Sequence, residues 1–186
     1  MTATFRTSQI VSALDPSKPH IILVGLPGAG KSTVGTMLAQ KLGRTYLDFD
    51  IEIERREGMP IAQIFGELGE GGFRELELKL TEELKDLGNM VLAPGGGWIT
   101  QPQVVALIRP PARMVYLRVR PEVAFNRLGG SVGGRPLLNR PDPMAELNKL
   151  FTERRALYQA ADIEVGTETY TPAQVTDQIL AKLGSV

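Results

Sequence analysis

Gly25-Leu26-Pro27-Gly28-Ala29-Gly30-Lys31-Ser32 follows the spacing G-x-x-x-x-G-K-S, an arrangement suited to holding a chain of phosphates. Glycines allow a loop in which successive backbone N–H groups turn toward phosphate oxygens. A helix opening directly behind the loop adds the positive end of its dipole. In that setting Gly28, Ala29, Gly30, Lys31, Ser32 and Thr33 are the candidate nucleotide-binding residues. Lys31 would reach the β- and γ-phosphates, and the Ser32 hydroxyl would ligate Mg²⁺. A glycine-rich strand-to-helix turn can also be purely structural. Here an apolar run precedes the loop and a periodic apolar pattern follows it, which favours the phosphate reading.

Such a loop specifies a nucleotide and leaves the reaction open. The second candidate group is Leu47-Asp48-Phe49-Asp50, two carboxylates two residues apart at the end of an apolar run. Ligands of open α/β sheets bind at the carboxyl edge of the strands, and there such a pair can divide labour. One acid supports a metal's water shell, and the other orients or deprotonates a substrate hydroxyl. The competing role for Asp50 is to cap a helix beginning near Ile51.

Short β-like runs alternate with helical patterns along the chain, which predicts an α/β domain with a mainly parallel sheet. The predicted strands are His20–Val24, Thr45–Leu47, Met90–Ala93, Arg113–Leu117 and Ile163–Val165. Predicted helices cover Ser32–Leu42, Ile51–Arg56, Ile61–Phe65, Glu75–Leu87, Gln103–Ile108, Glu122–Leu128, Met144–Ala160 and Pro172–Leu183. Within Glu75–Leu87, Leu76, Leu80, Leu84 and Leu87 recur at helical spacing. Gly129-Gly130-Ser131-Val132-Gly133-Gly134-Arg135-Pro136 holds too many glycines for a helix or strand, and Gly129–Pro141 reads as a lid.

Composition narrows the classes further. A chain of 186 residues suits one domain with its own core. Its 21 Lys and Arg balance 21 Asp and Glu, which argues against a general nucleic-acid or membrane-surface binder. Arginines do gather between Arg109 and Arg155, an excess suited to an anionic ligand. The absence of cysteine excludes disulfides and thiolate metal sites, and is compatible with a cytoplasmic location. The apolar run Ile21–Val24 is far too short to span a bilayer. Residues 1–19 read as a flexible N-terminal extension, and 20–186 as the domain.

Together these motifs resemble the shikimate kinases, within the nucleoside-monophosphate-kinase-like P-loop proteins. The resemblance runs from about His20 to Leu183. It rests on the phosphate loop, Asp48-Phe49-Asp50, Phe73-Arg74-Glu75-Leu76-Glu77 and Gly95-Gly96-Gly97, with weaker support from Arg135-Pro136-Leu137-Leu138 and Arg154-Arg155-Ala156-Leu157-Tyr158. It implies a three-layer α/β/α sandwich around a five-stranded parallel sheet of order 2-3-1-4-5. It also implies transfer of the ATP γ-phosphate to shikimate, with one Mg²⁺, by a cytoplasmic monomer with no nucleic-acid or membrane partner.

The residue roles follow from the same resemblance. Asp50 would bind and activate the substrate hydroxyl, with Asp48 in the metal shell. Arg74 and Arg154 would clamp the shikimate carboxylate, Glu77 would hold Arg74, and Gly95, Gly96 and Gly97 would bring backbone amides to the substrate. Arg135 would close over the transferring phosphate, and Arg127 would stack on adenine. Arginine suits the clamp because its planar fork meets a carboxylate through two hydrogen bonds.

The chain departs from the family pattern at Ala156, where proline is usual, which leaves the choice between Arg154 and Arg155 open. It departs also at Trp98, bulky enough to narrow or line the pocket, and near Tyr170-Thr171-Pro172, where basic residues are usual. The rival readings are a sibling kinase, such as one acting on gluconate, and a ligand-sensing module without turnover. The carboxylate clamp with the triple glycine favours shikimate over gluconate. Intact Lys31, Asp50 and Arg135 favour turnover over sensing.

Overall fold

The computed structural model describes residues 15, 17–129 and 141–184. Five short strands form one parallel sheet: β1 (Ile21–Val24), β2 (Thr45–Asp48), β3 (Met90–Ala93), β4 (Arg113–Arg118) and β5 (Ile163–Gly166). Their spatial order is β2-β3-β1-β4-β5, in register Ile22 to Leu92 on one side of β1 and Ile22 to Met114 on the other. Both faces carry helices, giving the expected three-layer sandwich. That explains why β1 and β3 are apolar and buried at every position, since a parallel sheet is covered on both sides.

Among the described residues the helices are α1 (Lys31–Leu42), α2 (Phe49–Glu57), α3 (Ile61–Leu84), α4 (Pro102–Ile108), α5 (Pro121–Arg127), α6 (Pro143–Gln159) and α7 (Pro172–Leu183). A 3₁₀ turn, Trp98–Thr100, follows the triple glycine. Proline opens α4, α5, α6 and α7 in the first turn, where its missing N–H costs nothing. Thr171 and Gln174 close a reciprocal capping box on α7.

Three expectations change. The predicted helices Ile61–Phe65 and Glu75–Leu87 are indeed two, but they abut at Gly69, whose φ 67° and ψ −177° are not helical, so the expected gap of 66–74 shrinks to one residue and the pair runs on as the kinked element α3. Burial of Ile61, Ile64 and Phe73 on either side of that kink holds together a segment whose local propensity is poor. At its far end α3 stops at Leu84, so Leu87 lies outside the helix. Part of the predicted extension is tied to the domain: Asn89 N–H donates to Lys18 O at 2.7 Å and Arg44 Nη1 donates to Pro19 O at 2.7 Å. Residues 1–14 and 16 lie outside the described residues.

His20 precedes β1 and is buried, and its Nε2 lies 3.0 Å from Leu84 O at the end of α3. Burial holds its imidazole below the usual histidine range, which makes it a structural tie.

Candidate active site

The carboxyl ends of β1, β2 and β3 open into one cleft of about 530 Å³. Phosphate-loop residues form one end of it. Gly28 has φ +83°, and a Cβ there would meet Ala124 O at 2.4 Å, so only glycine lets the loop lie against α5. Gly30 is the N-cap of α1 and brings no side chain to the helix's first N–H groups, leaving them for an anion. Lys31 Nζ donates to Gly25 O at 2.8 Å and Leu26 O at 3.2 Å, which folds the ammonium over the loop. Gly28, Ala29, Gly30, Lys31, Ser32 and Thr33 all line the cleft.

Asp48 ends β2 and caps α2: one oxygen accepts from Asp50 N–H at 3.1 Å. The capping role considered for Asp50 therefore belongs to Asp48. The other Asp48 oxygen accepts from the Ser32 hydroxyl at 3.1 Å and from Tyr46 OH at 3.1 Å. Burial, and then the Asp48 charge, push the Tyr46 phenol above its usual range, so it remains a donor. Among the described residues no group of three or more His, Asp or Glu side chains gathers as a metal cage. Ser32 and Asp48 instead offer two hard oxygens side by side. That donor set fits Mg²⁺, which keeps several waters and takes few protein ligands beside phosphates.

Asp50, in the first turn of α2, faces the triple glycine. A Cβ on Gly95 would lie 2.9 Å from both Asp50 Oδ1 and Glu77 Oε1, so two carboxyl groups close on this glycine from two helices. Gly96 faces Arg154, whose Nη1 would sit 3.1 Å from a Cβ. Gly97 faces Arg74, whose Nη2 would be only 2.0 Å from a Cβ. Side chains at these positions would occupy the space the guanidinium groups use.

Arg74 is held by its own helix: Nη1 donates to Glu77 Oε2 at 2.6 Å and Nη2 to Glu70 Oε1 at 2.9 Å. Glu77 is fully buried, and burial, reinforced by the Asp50 charge, pushes its carboxyl up to about 7 against the pull of Arg74 and Gln101. Arg154 is 6% exposed, and its Nε and Nη1 have no hydrogen-bond partner. Buried polar groups are ordinarily hydrogen-bonded, so these donors suit an acceptor brought into the cleft. Arg155 is exposed and lies over the Phe151 ring at 5.9 Å, so of the two adjacent arginines it is Arg154 that reaches the cleft.

At the nucleotide end Arg127 leaves α5 and donates from Nη1 to Thr167 Oγ1 at 2.9 Å, beside Tyr170, Pro172 and Val175. Phe65 and Phe73, centroids 4.7 Å apart, line the other wall. Arg135 and positions 130–140 of the lid expected over Gly129–Pro141 lie outside the described residues.

Two expectations need correction. Trp98 is not on the pocket wall. It is 1% exposed, edge-on to Phe49, and its Nε1 donates to Thr81 Oγ1 at 3.0 Å. Only part of the arginine excess between Arg109 and Arg155 serves the cleft: among the described residues Arg127 and Arg154 line it, whereas Arg109, Arg118 and Arg120 pair with Asp162, Glu164 and Glu168. Sequence reasoning missed Gln101, which sits behind the triple glycine and donates to Glu77 Oε2 at 2.9 Å. It also missed Tyr46 and Thr167, and no local pattern marks any of the three.

The shikimate kinase family model matches residues 27–184. A shikimate kinase from Psychrobacter sp. is 42% identical over 166 residues, covering 89% of this chain and 92% of the relative. One from Persephonella marina is 38% identical over 164 residues, covering 88% and 98%. The solved structure of a shikimate kinase from Acinetobacter baumannii in complex with shikimate superposes with a TM-score of 0.86 at 38% identity, covering 91% of this chain and 95% of that one. A gluconokinase from Sinorhizobium meliloti, at 17% identity and a TM-score of 0.61, shares the fold alone.

Proposed function

The chain belongs to the shikimate kinase family, and from that premise we propose a role for each residue of the cleft. The reaction is ATP-dependent phosphorylation of shikimate. Shikimate is a compact anion with three hydroxyls, so its pocket needs a cation at one end and a hydroxyl reader at the other. Arg154, buried with unmet donors and facing Gly96, is the observation that carries the reading. Its unpaired donors take the substrate carboxylate, together with Arg74. The flat wall of Gly95, Gly96 and Gly97 lets the ring lie against the backbone between them.

Asp50, at the far end of that wall, accepts hydrogen bonds from the ring hydroxyls and receives the proton of the attacking one. As that O–H breaks, the oxygen bonds to the γ-phosphorus and the bond to the ADP oxygen breaks. Lys31 and the loop N–H groups hold the β- and γ-phosphates, so developing charge meets fixed donors. The Ser32 hydroxyl, with the Asp48 carboxylate acting through water, would hold Mg²⁺, which would supply charge neutralisation at the phosphates. Arg127 stacks on adenine beside Tyr170 and Pro172. Arg135 keeps the role implied by its sequence motif, at the transferring phosphate.

The proposed working unit is a monomer, in which the phosphate loop, Asp50, Arg74 and Arg154 line one cleft. No described helix is long and apolar enough to cross a membrane, and the proposal places the enzyme in the cytoplasm. The test is a coupled ADP-release assay against shikimate, quinate, gluconate and nucleoside monophosphates. Saturable turnover confined to shikimate is the expected result. Turnover with gluconate in preference to shikimate would overturn the reading.

A further inference from the structure

The triple glycine is followed at once by a 3₁₀ turn, Trp98–Thr100, pinned to α3 at two points. One pin is Trp98 Nε1 donating to Thr81 Oγ1 at 3.0 Å, and Thr81 in turn donates to Glu77 O at 2.8 Å. The other is Gln101, the residue closing the turn, whose Nε2 donates to Glu77 Oε2 at 2.9 Å. That same oxygen receives Arg74 Nη1 at 2.6 Å. Backbone wall and arginine clamp, which come from different elements, thus meet on one carboxylate.

We propose that Gln101 is a positioning residue for the substrate carboxylate, acting through Glu77 on Arg74. The inference rests on the reading of Arg74 as part of the clamp. Glu77 Oε2 takes two donors at once, which fixes the carboxylate plane and so the direction in which Arg74 presents its fork. Without the Gln101 amide, Glu77 keeps one partner from its own helix, and a three-residue helical pair is a weak constraint by itself. A buried acceptor that loses a donor also becomes more costly to keep charged.

This second effect gives a readout that ordinary packing would not. The groups facing Glu77 are Arg74 on its own helix, Asp50 from α2, and the neutral Gln101 from the 3₁₀ turn. Glu70 touches it only through Arg74. The Gln101 hydrogen bond works against burial and keeps the Glu77 carboxyl from rising further. Removing it moves the loss of the Glu77 charge to higher pH, and shikimate affinity should follow that charge because Arg74 is oriented by it.

The experiment compares wild type, Gln101→Met, Glu77→Met and the double variant. Each is checked for folding by circular dichroism and thermal melting, then assayed for KM and kcat over a pH series, with shikimate binding by calorimetry. Gln101→Met should raise the shikimate KM roughly 3- to 10-fold, the scale of one typical net hydrogen bond, since the effect reaches the substrate only through Glu77 and Arg74. Its kcat should stay within about twofold, the signature of lost binding common to ground and transition states. The acid limb of kcat/KM should move to higher pH. In the Glu77→Met background the same change should add less than about twofold, because the two act as one unit.

An unchanged KM with a superimposable pH profile overturns the proposal. So does a full, additive effect in the Glu77→Met background, or a loss confined to thermal stability. Should Gln101→Met fail to fold, Gln101→Asn keeps an amide but shortens its reach by a methylene, and the same criteria apply. Wild-type turnover with a substrate other than shikimate would instead defeat the functional reading, and that outcome is visible before any variant is made.

Discussion

The Ser32 hydroxyl donates to the Asp48 carboxylate at 3.1 Å, joining the end of the phosphate loop to the end of β2 across sixteen positions of chain. This contact sets two hard oxygens side by side next to the loop whose N–H groups are proposed to hold phosphate. Asp48 also caps α2 through Asp50 N–H, so it fixes the helix on which Asp50 stands.

Asp48→Asn should therefore lose turnover by an amount that partly recovers as Mg²⁺ is raised, because a weakened shell can be refilled by mass action. Asp50→Asn should keep ATP binding and lose roughly 10²–10⁴-fold in kcat at every Mg²⁺ level, the usual scale of general-base assistance. Calorimetry with ATP beside a coupled assay over a Mg²⁺ series separates them. Normal turnover by Asp50→Asn with Asp48→Asn inactive throughout would exchange the two roles.

Gly97→Ala isolates the clamp from the fold. Gly97 has φ −88° and ψ −14°, a conformation alanine accepts without strain, yet the new Cβ would fall 2.0 Å from Arg74 Nη2. The guanidinium must leave its position between Glu77 and Glu70. Shikimate KM should rise tenfold or more, the cost of a displaced charge-assisted contact, with the melting temperature nearly unchanged. An unaltered KM would mean that Arg74 does not meet the substrate where it now stands.

Arg154→Ala and Arg155→Ala should part company. Loss of the buried Arg154 removes a charge-assisted contact of roughly 1.5–3 kcal/mol to the substrate carboxylate, measurable as weakened shikimate binding by calorimetry. Arg155 is exposed over Phe151, and its removal should change binding less than about twofold. The reverse pattern would put the wrong arginine in the cleft.

Glu77 should leave a mark on stability as a function of pH. Its carboxyl titrates at about 7 in the folded chain, against an ordinary value of 4.5, chiefly through burial. A raised value favours folding when the proton is bound. The contribution is complete below about pH 4.5 and disappears as pH rises through about 7. Glu77→Gln holds a permanently neutral group there. The wild type should thus lose stability relative to Glu77→Gln between pH 5 and 8, by on the order of 3 kcal/mol over the full window. Parallel stability curves in denaturant melts across that range would show that Glu77 is charged throughout.

How much of this was readable beforehand depends on whether contacts are local. The phosphate loop is contiguous, and its chemistry follows from the spacing alone. Sheet order and the Arg74–Glu77 pair came through the family resemblance, and the pair's geometry agrees with three-residue helical spacing. Asp48 and Asp50 could not be told apart as cap and substrate reader, because both stand at the same strand end. The break expected in α3 followed from Gly66, Gly69, Gly71 and Gly72. Each costs roughly 1 kcal/mol in helix propensity; the chain does break at Gly69, and burial of Ile64 before it and Phe73 after it offsets the cost of keeping the flanking glycines helical. Gln101 was invisible because it meets Glu77 only after the chain has turned back through β3 and the triple glycine.

Trp98 is the chain's single tryptophan, and it stands inside the core against Phe49 with its indole N–H committed to Thr81. The molecule therefore carries its own optical probe at the junction of α2, α3 and the substrate wall. Its emission should be that of a dry indole in the folded chain and shift to the red when that junction opens to water. Fluorescence-detected unfolding then follows the cooperative loss of this region directly, without a label, and the signal can be attributed to one residue.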